Sequence, residues 1–433
     1  MTAYNWPASY GDPSWFVRDR LGMFIHWGLY SAAARHEWVM NRESIHPDAY
    51  RRYFEHFEPD LYDPAAWARS AREAGMKYVV LTAKHHEGFC LWDSKLTDYK
   101  ITNTPYGKDV LRPFIEAFRA EGLKIGLYYS LIDWHHPHFP LDGLHPLRDD
   151  AAAREANGGR DMAQYRAYLH GQVRELLTDY GTIDYLWFDF SYPYMKWDWA
   201  NGKGKDDWAS EALERMILEL QPNILLNDRL ELERGVITPE QYQPDKAIVK
   251  DGKLVVWEAC QTLNGSWGYD RDNLDWKPVP MLVEMLVDTV AKGGNLLLNV
   301  GPNARGELDS RSVDSLRGIG AWTRLHGRAI YGAGPSAYTP PTGCRYTQRG
   351  DRLYVHLFEW PLKHLHLDGL QGKAAYAQFL HDASEVRMTE APVHTQAALD
   401  SEKPEPGRLT LSLPVQRPNV AVPVVELFLK ADR

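Results

Sequence analysis

Three times before Phe190 the sequence repeats one pattern: an amphipathic helix, a glycine, and a short strand apolar at nearly every position. The first copy is DPAAWARSAREAG running into MKYVVLTAKHHEGF. The second is VLRPFIEAFRAEG running into LKIGLYYS, and the third YRAYLHGQVRELLTDYG running into TIDYLWFDF. Asp63 suits an N-cap and Pro64 the first helical position, while Gly75, Gly122 and Gly181 suit helix stops. In the third helix Tyr165, Leu169, Val173, Leu176 and Tyr180 recur at helical spacing. Strands that lack polar alternation must be covered on both faces, so strands alternating with helices imply a parallel sheet.

Further strands are expected at Gly22–His26, Asn223–Asn227, Leu254–Trp257 and Asn295–Val300. The count approaches a (β/α)8-like, TIM-type barrel. A doubly wound open sheet is the alternative, but the Gly-rich phosphate loop it would usually show near its first strand is missing. After about residue 335 the texture changes. GAGPSAYTPPTG reads as a linker. Short alternating strands follow at Arg352–Leu357, His364–Leu367, Tyr376–Leu380, Leu409–Leu413 and Val424–Leu429, as in a small antiparallel β-sandwich. The expected organisation is an α/β barrel over residues 1–335 and a C-terminal β-sandwich over 336–433.

The 433 residues carry 49 Lys and Arg against 58 Asp and Glu, a formal charge of −9, which argues against nucleic acid or an anionic membrane as the main partner. Cys90, Cys260 and Cys344 are scattered and form neither a disulfide framework nor a CxxC metal site. The N-terminus has no basic and apolar signal regions and no stretch approaches a membrane span, so the expected location is cytoplasmic. Sixteen Trp and 24 Tyr residues are the unusual feature of the composition. Their flat apolar faces and polar edges suit sugar rings, or simply a large aromatic core.

In a parallel barrel the chemistry sits at the C-terminal strand ends. There the sequence places His26-Trp27-Gly28, Lys84-His85-His86-Glu87-Gly88, Tyr128-Tyr129-Ser130, Trp187-Phe188-Asp189, Asn227-Asp228-Arg229, Trp257-Glu258 and Asn299. Asp189 emerges directly from the buried YLWF strand, where a charge is costly unless it is used. Arg229 is placed to pair with it or to bind a ligand. No His-Glu-x-x-His and no Gly-x-Ser-x-Gly occurs. Glycoside hydrolysis needs two carboxyl groups, an aromatic wall and side chains that hold hydroxyls. Asp189 with Glu240 or Glu258, together with Trp38, Trp187 and Trp267, supplies them. A metal-dependent hydrolase using His26, His85 and His86, and a catalytically silent carbohydrate-binding protein on the same scaffold, are the rival classes.

The ordered motifs resemble the glycoside hydrolase family 29 α-L-fucosidases. They are Gly22-Met-Phe-Ile-His26-Trp-Gly, Glu37-Trp38, Lys84-His85-His86-Glu-Gly-Phe, Gly126-Leu-Tyr128-Tyr-Ser, Trp187-Phe-Asp189, Asn227-Asp-Arg229, Thr238-Pro-Glu240, Trp257-Glu258, Ser266-Trp267-Gly-Tyr and Gly294-Asn-Leu-Leu-Leu-Asn-Val-Gly-Pro. The resemblance implies a retaining, exo-acting enzyme with Asp189 as nucleophile and Glu240 as acid/base. It implies fucose binding by His26, Glu37, Trp38, His85, His86, Tyr128, Trp187 and Arg229, with Trp267 lining the sugar pocket near the methyl group. It implies a fucosylated oligosaccharide as substrate, with no metal and no cofactor. Association through either domain is left open. Two departures stand out: Phe190 follows the nucleophile position where the family often has Gly, and Arg234-Gly-Val-Ile precedes Thr238 where many members carry an acidic residue. The chemistry further leads one to expect that Arg229 or a histidine holds the Asp189 pKa down.

Overall fold

The computed structural model describes residues 4–390 and 407–431 of the chain. Seven parallel strands form the central sheet: β1 (Leu21–Ile25), β2 (Tyr78–Lys84), β3 (Lys124–Ser130), β4 (Tyr185–Asp189), β5 (Leu225–Leu226), β6 (Glu258–Thr262) and β7 (Asn295–Val300). Their order across the sheet is β6-β7-β1-β2-β3-β4-β5, so the last strand in sequence pairs with the first. The intervening helices are α1 (Pro64–Glu73), α2 (Leu111–Ala120), α3 (Met162–Asp179), α4 (Ser210–Leu220), α5 (Val279–Ala291) and α6 (Ser310–His326).

The local signals act as the sequence implies. Asp63 accepts a hydrogen bond from Ala66 N at 2.9 Å, and Pro64 opens α1. Gly75 stops it at φ +90°, in a spot where a Cβ would lie 2.4 Å from the Tyr331 hydroxyl. Tyr165, Leu169, Val173, Leu176 and Tyr180 are all buried along α3. The strand residues of β2 are buried throughout, as a sheet covered on both faces requires.

The ladder itself is curled but not closed. Its edge strands β5 and β6 are linked through residues 236–240, which make isolated parallel bridges to both sides: Asn227 to Val236, Ile237 to Trp257, and Glu240 to Cys260. Val236 N donates to Leu226 O at 2.9 Å, and Glu258 N donates to Ile237 O at 2.8 Å.

Two strand expectations require correction. The apolar run Leu254–Trp257 is not a strand of the central sheet. Lys253–Val255 instead pairs with Tyr4–Asn5 and Val249–Lys250 in a separate small sheet. The central strand is the next segment, Glu258–Thr262, whose polar sequence EACQT hides it, because the buried Glu258 carboxylate is satisfied by hydroxyl and indole donors. The strand expected over Asn223–Asn227 contracts to Leu225–Leu226.

Beyond α6 the described chain forms two antiparallel sheets. One has the order β8 (Cys344–Arg349), β9 (Arg352–Leu357), β14 (Val424–Leu429), β11 (Ala374–Phe379). The other has β10 (His364–Asp368), β13 (Arg408–Ser412), β12 (Arg387–Thr389). Leu353, Val355, Ala377, Val425 and Leu427 of the first share one apolar cluster with Leu365, Leu367, Leu409 and Leu411 of the second. The two sheets therefore bury a common core of their own.

Candidate active site

The C-terminal ends of the central strands surround a cavity of about 420 Å³. Its walls include His26, Glu37, Trp38, His85, His86, Tyr128, Trp187, Asp189, Glu240 and Trp267, ten of the eleven residues singled out from the sequence. Arg229 is not in the lining. It bonds the two carboxylates that are: Nη1 donates to Asp189 Oδ1 at 3.0 Å and Nη2 to Glu240 Oε2 at 3.0 Å. Thr238 fixes the guanidinium, its hydroxyl accepting from Nε at 2.9 Å and its carbonyl from Nη2 at 3.1 Å.

Asp189 ends β4 and is held on both oxygens, the second accepting from the Tyr128 hydroxyl at 2.8 Å. Burial pushes its pKa up, to about 6, with Arg229 opposing and the neighbouring Glu240 adding to the rise. The expectation that Arg229 would hold it down is thus corrected: desolvation outweighs the guanidinium. Tyr128 is stacked between His85, at 5.6 Å between ring centroids, and Trp187, also at 5.6 Å.

The imidazoles are neutral, because burial lowers the pKa of His26 to about 3 and those of His85 and His86 well below the ordinary value. Their tautomers follow from the bonds around them. Asn299 Nδ2 donates to Trp267 O at 2.6 Å, so Asn299 Oδ1 must accept from His26 Nδ1 at 2.6 Å. This leaves His26 Nε2 an acceptor. Likewise Ser130 donates its hydroxyl to Ile132 O at 2.7 Å and accepts from His86 Nδ1 at 2.7 Å. His86 Nε2 is then an acceptor lying 3.8 Å from Asp189 Oδ2, itself an acceptor. A hydroxyl placed between them has one proton and donates to one of the two; Asp189 Oδ2 already accepts from Tyr128, which leaves His86 Nε2 as the open acceptor.

Glu37 is buried, and its Oε2 accepts from Trp267 N at 3.1 Å and Gly268 N at 2.9 Å. Burial raises its pKa to about 7 against those backbone donors. With Asn299 it clamps the Trp267 backbone from both sides.

Glu258, the alternative second carboxyl, does not reach the cavity. It is fully buried, accepting from the Tyr78 hydroxyl, from the Tyr185 hydroxyl at 3.3 Å and from Trp187 Nε1 at 3.3 Å. It anchors the indole that lines the site. His135, His136 and His138 also lie outside the lining. Among the described residues no group of three or more His, Cys, Asp or Glu side chains is placed to hold a metal ion.

Sequence reasoning missed His36, Asn41, Arg42, Gln241 and Cys260 in the lining. Asn41 and Arg42 were findable, since they follow Trp38 at helical spacing. His36 and Gln241 were not, because with Phe190 they hold left-handed backbone at φ 91°, 51° and 80°, which nothing in a non-glycine residue announces. The φ of 80° at Phe190 is one that glycine adopts without strain. Here an aromatic ring is kept at the cost of strain, packed 5.2 Å from Trp38 and 5.0 Å from His86.

The family model described as alpha-L-fucosidase matches residues 5–328. The chain is similar to a curated alpha-L-fucosidase of Dictyostelium discoideum, 27% identical, covering 97% of this chain and 92% of that protein. Among solved structures it is similar to alpha-L-fucosidase isoenzyme 1 from Paenibacillus thiaminolyticus, at 47% identity and TM-score 0.89, covering 96% of this chain and 98% of that one. A GH29 alpha-L-fucosidase from Bacteroides thetaiotaomicron, solved as a trapped covalent intermediate, matches at 27% identity and TM-score 0.82 over 100% of both chains.

Proposed function

The chain belongs to the alpha-L-fucosidase family of glycoside hydrolases, and from that premise we propose that it releases terminal α-L-fucosyl groups from glycans by double displacement, with Asp189 as nucleophile and Glu240 as acid/base. The observation that carries the assignment is the single Arg229 guanidinium bonded to both carboxylates at the cavity wall. Retention requires the two groups to be close, about 5–5.5 Å apart, and bonds to neighbouring nitrogens of one guanidinium hold them on the same side of the cavity.

Ionised Asp189 attacks the anomeric carbon while Glu240 gives its proton to the departing oxygen. The C–O bond to the leaving group breaks as the bond to Asp189 forms. Glu240 then takes a proton from water, which attacks the same carbon and returns Asp189 as the free carboxylate. Tyr128 and Arg229 donate to Asp189 and limit its negative charge before attack. The acceptor nitrogens of His26 and His86 accept hydrogen bonds from sugar hydroxyls. Trp187 and Trp267 present faces to the apolar side of the ring and its methyl group. Glu258 serves Trp187 rather than the reaction. We read residues 236–240 as the irregular eighth position of a (β/α)8-like catalytic barrel ending near residue 335, followed by the C-terminal sandwich.

The test is release of nitrophenol from an aryl α-L-fucoside, with aryl β-D- and α-D-galactosides as controls. Fucose-selective release is expected, with the first product formed in the α configuration by NMR. Asp189→Ala should lose several powers of ten in rate and keep its fold. Glu240→Ala should be slow and regain rate with azide on an activated fucoside. Rescue of Glu258→Ala instead would move the acid/base role. Fucose binding without hydrolysis of any fucoside would make the protein a silent sugar binder.

A further inference from the structure

The cavity has a wall that, Trp38 apart, the proposed fucose contacts leave unused. Trp38, Asn41 and Arg42 stand at i, i+3 and i+4 around the single helical turn Val39–Arg42, so one face carries all three to the cavity. Trp38 packs on Phe190, which directly follows Asp189, and Gln241 directly follows Glu240. All of these residues line the cavity, and Phe190 and Gln241 stand directly next in the chain to the two carboxylates.

Arg42 is exposed, and its guanidinium has no hydrogen bond or ion pair among the described residues. The neighbouring acid is occupied: Glu43 takes a two-pronged bond from Arg35, at 2.7 and 2.8 Å. Glu37 gives its Oε2 to backbone N–H groups, while its Oε1 lies 3.1 Å from His36 Nδ1 and feels the Arg42 charge without a hydrogen bond to it. A second guanidinium approaches the same turn, since Arg148 Nη1 donates to Asn41 O at 3.1 Å and its Nη2 to Ser44 Oγ at 3.2 Å. Asp149 lies 3.6 Å from the Nε of Arg148. Arg42 is thus the one guanidinium in the cavity lining among the described residues.

Resting on the fucosidase reading above, we propose that Arg42 is a specificity-determining residue of the leaving-group side. The favoured substrates are fucosides whose leaving group carries an anionic substituent near the fucosyl bond. A planar guanidinium pairs in two-pronged fashion with a carboxylate or a sulfo group, and Trp38 and Phe190 give the leaving ring an apolar wall.

The experiment compares kcat/KM for aryl α-L-fucosides of matched leaving-group acidity: one neutral, one bearing a ring carboxylate, one a ring sulfonate. The expected result is a preference of about tenfold for an anionic ring at low ionic strength, shrinking with added salt. The larger of the two anionic ratios identifies the class of natural leaving group. Arg42→Gln should bring the ratio to near one, and Arg42→Lys should restore part of it. Equal kcat/KM across the series, with the neutral fucoside turned over, overturns the proposal and leaves the fucosidase reading intact. A preference that survives Arg42→Gln also overturns it. No turnover of any of the three fucosides overturns both.

Discussion

Asp189 sits between opposing influences, and the balance sets a pH limit. Burial and Glu240 raise its pKa while Arg229 and Tyr128 lower it, leaving it at about 6. The attacking form is the carboxylate, so kcat/KM is expected to fall below about pH 6, approaching tenfold per unit. Arg229→Gln removes the favourable charge and should move that acid limb to higher pH. A pH–rate profile of the variant checks this, and an unmoved limb would assign it to another group. Phe190 offers a second residue-level test. Its left-handed backbone costs about 1–2 kcal/mol, which only glycine escapes, while its ring contributes packing on Trp38, His86 and Tyr192. Both Phe190→Gly and Phe190→Ala lose the packing, but alanine keeps the strain. Urea unfolding should therefore rank wild type above the glycine variant, and the glycine variant above alanine by about 1 kcal/mol. At this scale the sequence was most legible where a polar residue ends an apolar strand, as at His26 and Asp189. It was least legible at His36, Phe190 and Gln241, whose backbone conformation is imposed by their surroundings.

At the scale of elements, the end of β2 is pinned by a buried ion pair. Lys84 Nζ lies 3.0 Å from Asp133 Oδ2, with both side chains inaccessible and the ammonium 4.4 Å from the Tyr129 ring centroid. Asp133 Oδ1 also accepts from His135 N at 3.0 Å and His136 N at 2.8 Å, so the pair ties the strand bearing His85 and His86 to the loop after β3. Lys84→Met would strand a buried carboxylate and should cost about 3–5 kcal/mol in chemical unfolding. Adding Asp133→Asn should recover part of that loss. A double variant as unstable as the sum of the singles would show that the pair does not act as a unit. The helix–glycine–strand units around α1, α2 and α3 were readable because cap, period and stop agreed in each. β6 was not, since Glu258 and Thr262 flank Cys260 on one face and Gln261 stands beside Ala259 on the other, so neither face reads as an apolar run. Residues 236–240 were not either, because they bridge two strands with only isolated bonds and include Pro239, which offers no N–H to a ladder.

For the whole molecule, buried histidines and buried carboxyls pull stability in opposite directions with pH, and their numbers decide where each prevails. Burial lowers His26, His36, His145 and His356 to about 3, His136 and His326 to about 4, and His85 and His86 well below normal. Below about pH 6.5 the unfolded chain protonates these eight while the folded chain does not, so stability falls as pH drops. Burial raises Glu37 and Glu258 to about 7, Glu87 to about 8 and Asp189 to about 6. These four hold protons in the folded state after the unfolded chain has lost them, so their stabilisation is lost as pH rises from about 4.5 to 8. Between about pH 4.5 and 6 the histidines lowered by burial, with His135 and His170 among them, outnumber the carboxyls raised by it, with Asp228 and Glu284 included, and stability rises with pH. Above about 6.5 the histidines no longer differ between states, and the remaining carboxyls make stability fall. The free energy of unfolding in urea is therefore expected to peak near pH 6.5. Glu87 isolates one contribution, because it lies outside the cavity, with Oε1 accepting from Leu29 N at 2.9 Å and Oε2 from the Tyr50 hydroxyl. Glu87→Gln keeps the shape and removes the titration. Relative to wild type it should gain stability between pH 6.5 and 8, by up to about 1.4 kcal/mol per pH unit. A constant difference between variant and wild type over that range would mean that Glu87 does not hold its proton in the folded state.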